Sequence, residues 1–204
     1  MPDDNPFADI PDIPTLEGRF AFVESTVTRQ NLAFCFQYII FLTIVRSMRT
    51  HTGPTSLSLN RDIVVHTASV VESCLHYGVT QLIQRDPAIE AKLTKKWKRA
   101  NQGSIHTISD DESIVWVRQT RVPHIYSNNP KSEDVNKAAL DIELIDDELY
   151  GKAEKLRKAR NHIHFIGVDK MVSYPSTEAV NSFFEDAGKI LKQIETRLTD
   201  AQNV

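Results

Sequence analysis

The segment "RKARNHIHF", residues 157–165, gathers two arginines, an asparagine and two histidines between Arg157 and His164. These side chains suit work on phosphate. A guanidinium offers paired N–H donors that match two phosphate oxygens, and an imidazole gains or loses a proton near neutral pH. The same residues also fit two plainer readings, a metal site and a solvated basic helix end favoured by the helix dipole.

Helical geometry sorts the group. With Leu156 at zero on the apolar stripe and about 100° per residue, Arg160 falls at about 40°, His164 at about 80°, Arg157 at about 100° and Asn161 at about 140°. His162 stands apart at roughly 240°. Arg157, Arg160 and His164 therefore share one edge beside the buried face, with consecutive members about one turn apart. An arginine and a histidine so placed reach one phosphate together, the histidine as general acid or base. The metal reading fares worse, because His162 and His164 diverge by about 200° on a helix and no third ligand stands at a recognisable spacing. Neither a Gly-rich phosphate loop nor a Ser-His-Asp or Cys-His arrangement is legible, and nothing calls for a cofactor.

The elements that must position this edge are helical. A chain of 204 residues is long enough for one domain with a real core. Its net charge of −3 excludes a uniformly basic nucleic-acid binder while leaving room for a local basic site. Cys35 and Cys74 sit inside apolar helical patterns and read as buried, reduced thiols, consistent with a cytoplasmic protein. The opening "MPDDNPFADIPDIP" has no apolar core of a secretory signal; residues 1–14 read as a disordered lead-in and 15–204 as one helical-bundle domain. The most apolar run, Leu32–Val45, is shorter than the roughly 20 residues that span a bilayer. Its apolar character nearly all round predicts a core helix packed on several neighbours rather than a membrane span.

Four long helices are expected. The first runs from about Phe20 or Ser25 to Met48. The second follows the turn-rich "THTGPTSLSLN" with Asn60 as N-cap, and ends near Gln84–Pro87. The third carries an unbroken stripe from Val135 through Ile142, Ile145, Leu149 and Leu156 to Ile163, with Gly167 as its stop. The fourth is capped by Ser176 and carries Val180, Phe183, Ala187, Ile190, Ile194 and Leu198 inward. Between the second and third, about 86–130, lies an irregular or β-hairpin insertion. There "AIEAKLTKKWKRA" reads as a short helix and "SIHTISDDESIVWVRQT" as two strands about a Ser109–Glu112 turn. The class is an all-α bundle of four to five helices.

"LRKARNHIHF", near the end of the third helix of such a chain, resembles the signature of HEPN domains (higher eukaryotes and prokaryotes nucleotide-binding). That signature is Arg, four to six residues, then His, with Asn often following the Arg. Here "RNxIH" leaves three residues between Arg160 and His164, while Arg157 to His164 leaves six. The resemblance implies a helical bundle that dimerises and either cleaves RNA without metal or only binds RNA, nucleotide or protein, as in toxin–antitoxin and phage-defence systems. It implies Arg160, Asn161 and His164 as the catalytic set, with Arg157 as an auxiliary cation and no metal. The alternative it carries is a non-catalytic interaction or regulatory module that meets an antitoxin or other protein partner.

Lys96, Trp97 and Lys98 form a second candidate RNA contact, cations for the backbone around a ring for stacking; the competing reading is a solvated helix with one anchoring tryptophan. Glu72 either lies exposed or faces the Arg/His set and holds an arginine. His66 and His76 read as partly buried polar residues, and Trp116 and Tyr126 as packing groups.

Overall fold

The computed structural model describes residues 6–48, 54–109, 112–123, 125, 130–161 and 175–201. Helix α1 (Ile13–Gly18) starts at Asp12, whose carboxylate accepts from the Thr15 N–H at 3.0 Å. Helices α2 (Thr26–Met48) and α3 (Pro54–Arg85) follow. A 3-10 turn (Pro87–Lys92) leads to strands β1 (Lys95–Ser109) and β2 (Glu112–Pro123). Helices α4 (Ser132–Asp141), α5 (Asp147–Asn161) and α6 (Thr177–Asp200) complete the described chain. The architecture is mainly helical, in line with the all-α reading.

Helix α3 is the axis of the fold and packs against α2, α4, α5 and α6. Its stripe of Ile63, Val64, Val70, Val71, Cys74, Leu75, Val79 and Leu82 is buried, and burial pushes the Cys74 thiol up to about 12. Opposite lies the stripe of α6, from Val180 to Leu198, behind the expected Ser176 cap, whose Oγ accepts from the Ala179 N–H at 3.2 Å. Gly78 lets the helices close: a Cβ there would lie 2.7 Å from Leu144 Cδ2 and 3.3 Å from Ile194 Cγ2.

Several expectations are corrected. Helix α3 begins at Pro54, a residue whose fixed φ suits a first turn. Asn60 is thus inside the helix and buried, where it accepts from Arg46 Nη1 and donates to the Pro175 carbonyl instead of capping. The single third helix is two helices. The chain breaks after Asp141, with Glu143 at φ 61°, yet Ile142, Leu144 and Ile145 stay buried, so the apolar spacing runs on through the corner. Arg197 Nε holds the Glu143 carbonyl at 3.0 Å and Lys92 holds its carboxylate at 3.1 Å. "KKWKRA" is strand rather than helix: β1 and β2 pair antiparallel from Lys95 opposite Pro123 to Ser109 opposite Glu112, with irregularities at three points. The ladder is rooted where Leu93 and Ile125 enter the core and the Thr94 N–H meets Asp141 at 2.9 Å.

Helix α2 is the largest departure. It is the one candidate among the described residues that is long and apolar enough to cross a membrane, by length and composition alone. Yet only 22% of that apolar window is buried, so it is not a core helix enclosed on all sides. Leu32, Ala33, Ile39 and Leu42 face inward, while Val27, Phe34, Tyr38, Phe41 and Met48 are exposed. Within the stretch read as a lead-in, Phe7 stacks on Phe41 at 5.3 Å and the Pro11 carbonyl accepts from Gln37 at 2.9 Å.

Candidate functional site

Helix α5 is described as far as Asn161, and the edge of interest is built from its final described turns and from what faces them on α3 and α4. Ala153 and Leu156 bury the inner face, which turns Arg157 and Arg160 to the rim. Arg160 Nη1 meets Glu72 Oε2 on α3, across 88 positions of sequence, and Ser132 Oγ at the start of α4 donates to the other oxygen of Glu72. The Arg160 and Glu72 side chains are 26% and 27% exposed. Of the two readings of Glu72, the structure takes the one in which it holds an arginine.

Arg157 has a separate partner. Its Nε lies 2.9 and 3.0 Å from the two oxygens of Glu154 and its Nη2 2.6 Å from Oε2, a fork that also receives Asn136 Nδ2 at 2.8 Å. The bonds to Glu154 push the Arg157 guanidinium above its ordinary value. Burial alone would raise the Glu154 carboxyl; the bonds from Arg157 and Asn136 outweigh it and hold that carboxyl below the usual range. The two arginines share the edge as the helical angles require, each compensated by its own carboxylate. Asn161 is exposed. His162 and His164 lie outside the described residues. Lys96, Trp97 and Lys98 lie on β1 opposite Val122, Arg121 and Thr120, on an element other than the one that carries Arg160.

Between these groups the space is filled. The cleft bounded by Glu72, Ser132, Asn136, Arg157 and Arg160 has a volume of about 10 Å³, the lower limit for one water. A ligand of Arg160 must therefore lie on the surface. On the other side of Glu72 an open depression of about 580 Å³ is bordered by Ser69, Ser73, His76, Thr80 and Pro130. Ser69, Ser73, His76 and Thr80 recur at helical spacing along one face of α3, so their grouping is set by that helix alone; His76, read from sequence as partly buried, is exposed there. Neither a metal-type cluster of three His, Cys, Asp or Glu nor an unpartnered buried polar side chain occurs among the described residues.

No known protein decides the matter. The chain matches no protein-family model, no curated protein and no solved structure. Its reading rests on its own residues.

Proposed function

We propose that this chain is a HEPN-like RNA-binding protein in which Arg160, Asn161 and His164 meet the phosphodiester backbone, with metal-independent cleavage as the activity to test. The reading takes α2, α3, α5 and α6 as the bundle, the β1–β2 hairpin as an insertion on it, and two copies in the working form. It places the protein in the cytoplasm, in a toxin–antitoxin or phage-defence setting.

The observation that carries it is the Glu72–Arg160 contact. A carboxylate on α3 that borders an open, hydroxyl-lined depression holds one end of the guanidinium, which itself lines the narrow cleft on the other side of that carboxylate. Arginine has five N–H donors, so the bond through Nη1 leaves others for a phosphate. In this reading His164 moves the proton as an RNA 2′-hydroxyl attacks the adjacent phosphate, Arg160 takes up the developing charge and Asn161 orients the phosphate. Arg157 is reassigned: bound in a fork by Glu154, it braces α5 rather than serving as a spare cation.

The test is single-stranded RNA incubated with the purified chain in EDTA. Cleavage with cyclic-phosphate ends, lost in His164→Ala and Arg160→Ala at unchanged circular dichroism, is the expected result. Intact RNA together with no measurable binding removes the reading. A second reading, a non-catalytic interaction module with a protein partner, is favoured by the charge compensation of both arginines. It is chosen if Arg160→Ala breaks a protein complex and no RNA product forms.

A further inference from the structure

The uncovered face of α2 keeps a seven-residue period. Val27, Phe34, Phe41 and Met48 stand seven apart, and Asn31, Tyr38 and Val45 repeat the step in the other seam position. These are the d and a positions of three successive heptads, the spacing a helix presents to another helix. A helix lying on lipid needs a broader apolar face opposite a charged one. The five large apolar members are 69% (Val27), 57% (Phe34), 43% (Tyr38), 38% (Phe41) and 44% (Met48) exposed.

We propose that α2 is a self-association surface, and that two copies of the chain pair through this seam, α2 against α2. Charge favours a second copy. A two-fold contact sets a patch against itself, so any charge on it would meet its like. The charged residues of α2 are Arg29 and Arg46, and both turn onto their own chain: Arg29 donates to the Val23 carbonyl at 3.0 Å, Arg46 to Asn60 and Asn181. Area also agrees. At about 200 Å² per aromatic side chain, Phe7, Phe34, Tyr38 and Phe41 leave about 350 Å² open, and Val27 and Met48 bring the patch past about 500 Å². That is most of the ~800 Å² each partner contributes to a stable interface, and at the upper end of what a monomer exposes in one patch.

The seam is also ordered before any partner arrives. Phe7, Phe41 and Tyr38 form a stack with centroids 5.3 and 6.2 Å apart, and Tyr38 sits edge-on to His66 at 4.9 Å. Rings already held in place lose little freedom on contact. Asn31 is the one side chain in the series without an apolar body, and a single asparagine at an a position fixes register and strand number at some loss of affinity.

The surface is argued from α2 alone; it shares with the RNA reading only the expectation of two copies, and that reading fails separately, on RNA that is neither bound nor cut. The experiment is sedimentation equilibrium of the full chain over a range of concentrations. Wild type is expected at twice the 23.2 kDa chain mass. Phe34→Glu, at an exposed helical site, should give the single-chain mass with the same circular dichroism. Asn31→Leu serves as the second variant and should tighten association tenfold or more, or raise the number of chains. A wild type at the single-chain mass throughout, a dimer that Phe34→Glu leaves intact, or a monomer that floats with lipid vesicles would each overturn the proposal.

Discussion

Replacing Glu72 by Gln keeps the size of the side chain and the bond from Ser132 but removes the charge that holds Arg160. A hydrogen bond to a charged group contributes about 1.5–3 kcal/mol. Both side chains are about a quarter exposed, which lets solvent screen part of that, so a coupling of about 1–2 kcal/mol is expected. It is measured by urea unfolding of wild type, Glu72→Gln, Arg160→Gln and the double variant. Single variants should each lose about 1–2 kcal/mol, and the double should lose little more than either. RNA affinity separates the structural from the functional part. Glu72→Gln should retain binding, whereas Arg160→Gln should weaken it and flatten the dependence of log K on log salt by about 0.7, the share of one phosphate in a single strand. A coupling within the ~0.5 kcal/mol by which unrelated sites add would refute the contact. An unchanged salt slope would refute the role of Arg160.

Three further outcomes rest on packing and charge. Gly78→Ala gains about 1 kcal/mol of helix propensity and meets Leu144, which is wholly buried and cannot move freely; with ~1–3 kcal/mol for overpacking, the net loss should be about 1 kcal/mol by denaturant titration. Gly151→Ala on α5, where nothing lies within 4 Å, should instead stabilise by about 0.5–1 kcal/mol. Glu154 titrates below its ordinary value near 4.5 when folded, so its contribution is complete above that value and disappears as pH falls through the lower, folded one. The stability gap between wild type and Glu154→Gln should therefore be constant around neutrality and close only in the acid range; a gap that widens with acid would contradict the assignment.

The elements that could be read from sequence are those whose own residues decide them. Helix α6 has a cap, an acidic first turn and a clean stripe, and it appears where those signals put it. Helix α3 ends where the apolar pattern stops. The α4–α5 corner was illegible because Ile142 and Ile145 keep helical spacing while Arg197 and Lys92, remote in sequence, hold Glu143 in a conformation its residue type does not advertise. Asn60 misled for a similar reason: a good capping residue is also a good buried hydrogen-bonding one, and partners on α2 and before α6 decided between them. At the site, the shared edge of Arg157 and Arg160 followed from angles on one helix. Their separate carboxylate partners did not, since the Glu72 contact joins positions no periodicity links.

The corner at Glu143 has a consequence for how α5 tolerates changes in length. Because the helix starts afresh there, the rotational phase of Arg160 is set by the count of residues back to the corner. One residue inserted in α5 would carry Arg160 about 100° round the helix, to the exposed station Asn161 now occupies and away from Glu72. Insertions of three or four residues nearly complete a turn and would restore its heading, one turn farther along. Length variation in this segment should thus be accepted in whole turns and rejected between them, so that the angle at which the edge faces outward is governed from the far end of the helix.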